Sequence, residues 1–200
     1  MPENAGLGRQ PGFLSRLPLV TNRLNIRAFR MNDHAQVFDL HRNHAVTRFA
    51  GASKTRQQSL ASLDRMISRV DRTGFGPLAV LERSRGTHNP RVVGWCGIQP
   101  LPGSDHYEVI YAFSEDVWGK GYATEAARAL IHTAFSITSF PRDEVVGLVY
   151  PQNIQSIRVL EKLGMTFKEY SYVELSRRYA CLYSCSRRNF FRRYAQTLAS

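Results

Sequence analysis

The chain has 200 residues, 43% of them hydrophobic and 22% charged, and a formal net charge of +11. That length suits one α/β domain, or a domain with a tail, and the composition is that of an ordinary globular protein. No apolar run approaches the ~20 residues of a membrane span, and three cysteines with no CxxC spacing suggest neither a disulfide framework nor a zinc site.

Residues 1–19 are rich in Gly and Pro and lack the apolar core of a signal peptide. They read as a loose leader, the protein as cytoplasmic, and residues 20–200 as a single domain. Thr21–Arg30 alternates, with Leu24, Ile26 and Ala28 on one face, which predicts a half-buried strand. A helix follows, with Asp33 as its expected N-cap and Ala35, Val37, Phe38 and Leu40 as its apolar side. A second amphipathic helix carries Leu60, Leu63, Ile67 and Val70 and stops at Gly74.

Pro77–Arg83, Arg91–Gln99 and Tyr107–Ser114 are rich in β-branched and aromatic residues and are joined by short turns, as in an antiparallel meander. A long helix from about Gly121 to Ile137 comes next. The nearly continuous apolar run Asp143–Pro151 is expected to be a central strand covered on both faces. Its link to the preceding strand through a long helix makes the two parallel. A short helix spans Asn153–Gly164, two further strands follow, and the stretch from Asn189 reads as a terminal helix. Cys181 and Cys185 share parity in the last strand, and buried thiols are expected there. The order is β-α-α-β-β-β-α-β-α-β-β. The expected fold class is α/β, a central twisted mixed sheet of about seven strands flanked by helices.

Chemistry is signalled where the third meander strand enters its helix. Gly119 and Gly121 bracket that entry, and glycine permits positive φ and close approach of a ligand to the backbone. The free N–H groups and partial positive charge of a helix start form an anion site suited to a pyrophosphate. Neither GxxxxGK[ST] nor GxGxxG is present, since position 124 is Thr. A second helix starts with Asn153 and Ser156 after the next parallel strand, at the edge where α/β sheets bind ligands.

"WGKGYATEAARALIHTAF" followed by "NIQSIRVLEKLGM" resembles the GCN5-related N-acetyltransferase (GNAT) superfamily, in its RimJ/RimL-like branch of ribosomal-protein-alanine N-acetyltransferases. "TNRLNIRAF", "VVGWCGI" and "YEVIYAFSEDVWGKGYATEA" extend the likeness across roughly residues 20–187. The resemblance implies a GNAT fold and acetyl-CoA as cofactor, with coenzyme A as product. It places the pyrophosphate on the turn formed by Val117, Trp118, Gly119, Lys120, Gly121, Tyr122, Ala123 and Thr124. It runs the pantetheine between two splayed parallel strands, with Asn153 on the pantetheine and Ser156 near the thiol. Asp116 departs from the superfamily's frequent Gln or Arg three residues before the first glycine, so the resemblance implies the amide cradle without that side-chain contact.

Transfer from a thioester to an amine needs a neutral amine, a donor for the oxyanion and a proton for the leaving thiolate. An α-amine, with a pKa near ~7.7–8.0, needs less help than a lysine near ~10.4. Glu108 and Glu174 are the candidate bases, Glu174 slightly preferred; Glu108 is favoured if its strand carries a bulge. The superfamily's general-acid tyrosine falls at Leu160, so Ser156, Tyr150 or water would serve the thiolate. The six histidines show no metal spacing, and no metal is expected.

The implied activity is acetylation of a primary amine, in particular a protein or peptide α-amine. A polyamine, an aminoglycoside or another small amine stands as alternative. Asp33, Asp39, Asp64 and Asp71 are diluted by Arg and His in the expected acceptor region, which argues against a polycation. A second class of reading is a basic RNA- or ribosome-binding module, motivated by Arg177, Arg178, Arg187, Arg188, Arg192 and Arg193 among aromatics. Expected partners are acetyl-CoA, an amine acceptor and the ribosome, with no membrane, in a monomer or homodimer.

Overall fold

The computed structural model describes residues 13–49, 51, 54–83, 90–174 and 176–198. Eight strands form one mixed sheet: β1 (Leu19–Val20), β2 (Leu24–Arg27), β3 (Gly76–Glu82), β4 (Val92–Pro100), β5 (Tyr107–Phe113), β6 (Glu144–Val149), β7 (Thr166–Val173) and β8 (Arg178–Ser186). Their spatial order is β1-β2-β3-β4-β5-β6-β8-β7. The helices are α1 (His34–Arg42), α2 (His44–Thr47), α3 (Arg56–Thr73), α4 (Tyr122–Phe135), α5 (Ile154–Lys162) and α6 (Arg187–Leu198). All seven expected strands are present. The eighth, β1, has two residues, too short to show a period.

Local chemistry sets the helix ends. Thr55 Oγ1 accepts from Gln58 N and Gln58 Oε1 accepts from Thr55 N, a reciprocal cap that starts α3. Asn153 Oδ1 accepts from Ser156 N at 3.2 Å and starts α5. Asp33 precedes α1 but its side chain does not cap it. Both its oxygens take the Arg27 guanidinium at 2.8 Å, and Oδ2 also accepts from Arg30 N. A charged fork outcompetes neutral amides for a buried carboxylate.

Two apolar layers cover the sheet. One face packs Val93, Ile98, Val109 and Phe113 against α4 and α6 through Ala126, Leu130, Phe135 and Phe190. The other packs Ala79, Leu81, Trp95 and Ala112 against Val37, Leu40, Val46 and Leu63 of α1, α2 and α3. The expected leader is loose only as an expectation for residues 1–12, which lie outside the described residues. From Phe13 onward it is packed: Phe13 is 4% exposed, and Leu14, Leu17 and Leu19 lie against the first layer. Burial of an aromatic ring and three leucines outweighs the Gly/Pro character of the flanking sequence. Cys96, Cys181 and Cys185 are free and buried. Among the described residues no helix is long and apolar enough to cross a membrane.

What positions the site is the parallel pairing of β5 with β6. It holds only at Tyr107 with Val145 and Glu108 with Val146. Beyond Glu108 the strands part, while β5 stays paired to β4 through Phe113 and β6 to β8 through Val149.

Candidate active site

The parted strands open a cavity of about 1020 Å³ that passes from the α1–α3 face to the starts of α4 and α5. At the α4 end, Gly119 and Gly121 have φ of 76° and 81°. A Cβ on Gly119 would meet nothing within 4 Å, and one on Gly121 only Arg23 Nη2 at 3.5 Å. No side chain caps α4, so its first-turn amides are left for an outside acceptor. Gly119, Gly121, Tyr122, Ala123 and Thr124 all border the cavity. An open, uncapped, glycine-lined helix start beside a slot between strands fits a pyrophosphate followed by an extended arm.

The turn is braced from behind. The Arg23 guanidinium donates to Glu125 Oε2 at 2.7 Å and to the Lys120 carbonyl at 2.8 Å, and Thr21 Oγ1 donates to Glu125 Oε1 at 2.6 Å. Trp118 donates its indole N–H to the Phe113 carbonyl at 2.8 Å. Val117 is buried beneath the turn and borders the cavity. Lys120 is exposed and is not part of the cavity lining. Asp116 turns away from the cavity: Arg91 holds both its oxygens, at 2.6 and 2.8 Å, and Ser114 donates to it. These bonds hold its carboxyl below the usual range, the Ser114 hydroxyl contributing most. Asp116 therefore belongs to the scaffold of the turn.

Asn153 and Ser156 border the cavity at the start of α5. Tyr111, which the sequence did not single out, donates its hydroxyl to the Ser156 carbonyl at 3.2 Å. Burial pushes its phenol well above the usual range, so it stays protonated at neutral pH. Odd parity along β5 puts Tyr111 on the α4–α5 face, a signal that only the position of the slot makes readable. Leu160 lines the same wall and is 2% exposed.

The two candidate carboxylates are not brought together. Glu108 borders the cavity where β5 and β6 begin to part, 9% exposed, and accepts from Gln99 Nε2 at 2.9 Å. Arg69 in turn donates to Gln99 Oε1 at 3.3 Å. Desolvation raises the Glu108 pKa, with the Gln99 bond and the Arg69 charge opposing it. β5 pairs with β4 in continuous register from Tyr107 to Phe113, so Glu108 shares the α1–α3 face with Ile110 and Ala112 without a bulge. Glu174 lies exposed in the turn between β7 and β8 and outside the cavity lining. Among the described residues no cluster of three or more His, Cys, Asp or Glu could hold a metal ion.

A mixed sheet parted at its parallel pair, with an uncapped helix start at the mouth and a buried carboxylate inside, suits an acyl-CoA-dependent transferase. The model of the acetyltransferase (GNAT) domain family matches residues 23–166, and the chain belongs to that family. Its acetyl donor is acetyl-CoA. The protein YkkB of Bacillus subtilis (strain 168) is 30% identical over 159 residues, covering 78% of this chain and 88% of its own. In fold, the chain is similar to a protein of Vibrio cholerae provisionally described as a ribosomal-protein-serine acetyltransferase (TM-score 0.69, 15% identity, 84% of this chain and 95% of that one). It is similar also to the aminoglycoside acetyltransferase AAC(6')-Ib in complex with coenzyme A (TM-score 0.68, 17% identity, 84% and 98%).

Proposed function

We propose that this acetyltransferase acts on the N-terminal α-amine of a peptide or protein, by direct attack on the thioester, with Glu108 as general base. The observation that carries the reading is Glu108 itself: a nearly buried carboxylate at the point where the cavity enters the sheet, bonded to Gln99 and raised in pKa by burial. An α-amine titrates near ~7.7–8.0, so a carboxylate acting directly or through one water suffices to clear its proton. Acetyl-CoA, held on the Gly119–Thr124 amides and along the slot past Asn153, supplies the activated acyl group. Bound there, it would present the acyl carbon that the amine nitrogen attacks as the C–S bond breaks. Glu108 would take the amine proton and pass it to solvent, and the departing thiolate would be hydrogen-bonded by the protonated Tyr111 phenol, beside Ser156, and protonated from solvent.

A ribosome-associated acceptor agrees with the net charge of +11 and with the exposed Arg188 and Arg192 of α6, and with the activity ascribed to the Vibrio cholerae neighbour. The cytoplasm is the corresponding compartment.

The test follows coenzyme A release and the mass gain of one acetyl group on peptides with a free N-terminus, on the same peptides N-blocked but bearing lysine, and on polyamines and aminoglycosides. Transfer to the free N-termini is expected; transfer confined to lysine or to polyamines overturns the reading. Glu108→Gln is expected to lower kcat/KM by about 10²–10⁴-fold. A base must be ionised, and burial has moved this one upward, so the acidic limb of the wild-type profile is expected above the usual carboxylate range. The limb is expected to vanish in the variant, whose deficit shrinks as pH rises and the amine becomes neutral unaided. Wild-type rates for the variant across that range remove Glu108 from the role.

A further inference from the structure

The α1–α3 wall of the cavity holds a cation, Lys54, that forms no ion pair among the described residues. Lys54 borders the cavity and donates from Nζ to Ser62 Oγ at 2.8 Å, with His41 Nε2 at 3.4 Å. His41 is 2% exposed; its Nδ1 bonds Ser59 Oγ at 2.8 Å, and its ring meets Trp95 edge-on at 5.5 Å between centroids. Burial, then the nearby Lys54 charge, holds His41 at about 4, so it is neutral at physiological pH and offers no anion. Burial and the Arg65 charge hold the Lys54 amine below its ordinary value.

Among the described residues no carboxylate forms an ion pair with Lys54, although acids are close in sequence. Asp33 is taken by Arg27 and Asp39 by Arg42, and neither Asp64 nor Asp71 borders the cavity. Arg48 borders the cavity as well and is exposed at its mouth. A partly buried ammonium with only neutral hydroxyl and imidazole partners is under-compensated, and an anion entering the cavity would be drawn to it.

We infer, building on the reading of the cavity as the acceptor site of an amine acetyltransferase, that the acceptor bears a carboxylate a few bonds from its amine and that Lys54 binds this carboxylate. Trp95, against His41, and Gln99, bonded to Glu108, are four residues apart on β4, a separation of roughly 14 Å at ~3.4 Å per residue. Lys54 and Glu108 both border the cavity, and an acceptor of one or two residues would lie with its amine toward Glu108 and its carboxylate toward Lys54. The carboxylate comes from an acidic residue at the start of a peptide or from a free amino acid. Polyamines and aminoglycosides, which would bring a second positive charge against Lys54 and Arg48, are disfavoured.

The experiment measures initial rates with acetyl-CoA for peptides that differ only in beginning with Glu, Gln or Lys, and for free glutamate and glutamine. The Glu peptide is expected to exceed its Gln counterpart by roughly 10- to 100-fold in kcat/KM, the usual worth of a hydrogen bond to a charged group, mainly through KM. A greater rate with free glutamate than with the peptide identifies the amino acid as the source of the carboxylate. Lys54→Met is expected to remove the Glu-over-Gln preference and Lys54→Arg to retain it, which separates loss of charge from loss of folding. Equal rates with Glu and Gln acceptors in the wild type, or a preference surviving in Lys54→Met, overturn the carboxylate inference and leave amine acetylation standing. Absence of transfer to every amine overturns both.

Discussion

At Gly121 the backbone holds φ at 81°, and the space above it is closed only by Arg23 Nη2. Gly121→Val would force a β-branched residue into the left-handed region, at a cost of roughly 1–2 kcal/mol, and set its methyls against the Arg23 guanidinium that holds the Lys120 carbonyl, disturbing the turn on which a pyrophosphate must lie. The expected outcome is a protein that folds, melts slightly earlier and no longer gains stability from coenzyme A. Normal binding by the variant would place the phosphate elsewhere. The turn geometry at this residue was legible in sequence because a glycine pair between a strand and a helix marks positive φ, which Gly119 and Gly121 adopt. Asn153 was legible for a similar reason, as a polar cap just past a buried strand. The surroundings of Glu108, Asp116 and Lys54 were not. Gln99 is nine residues from Glu108 and Arg91 twenty-five from Asp116, and their meeting depends on strand register and helix rotation. No local pattern states these, and one residue of slip exchanges the faces.

The strands and helices were legible where a period ran long enough. α3 shows Leu63, Ile67 and Val70 at helical spacing and stops at Gly74, and β6 reads as a covered strand because both its faces are apolar. The two residues of β1 and the single turn of α2 carry no period. Packing supplies a further constraint that sequence hides. A Cβ at Gly97 in β4 would lie 2.0 Å from the Gly76 carbonyl oxygen, and one at Gly94 2.4 Å from that of Ala112. These neighbours are backbone and cannot swing aside. Gly97→Ala is therefore expected to lower unfolding stability by about 3 kcal/mol, the upper end of ordinary overpacking, by shifting β4 against β3. Chemical denaturation measures it. A loss below about 1 kcal/mol would mean that β3 moves freely at that point. Because β4 carries both Trp95 and Gln99, acceptor KM is expected to rise in the surviving fraction.

Across the whole molecule, one short run of pairing joins β1–β5 to β6–β8, at Tyr107 with Val145 and Glu108 with Val146. Helix α4 also ties the two sides, packing on β2, β4 and β5 and on α5 and α6. The protein is thus two plates on a narrow seam, and anything lying in the gap works as a staple. Coenzyme A at a hundred times its Kd is expected to add about 2.7 kcal/mol, a rise of roughly 5–10 °C in Tm for a chain this size. Adenosine alone, which cannot reach between the strands, is expected to add far less. Amide exchange gives the same contrast in space. Coenzyme A should slow exchange together across β5, β6 and α4, whereas protection confined to the turn at Gly119–Thr124 would show that the plates do not need the staple. The acetyl donor then acts as a removable structural member, and each cycle of product release loosens the sheet at the place where the next acceptor enters.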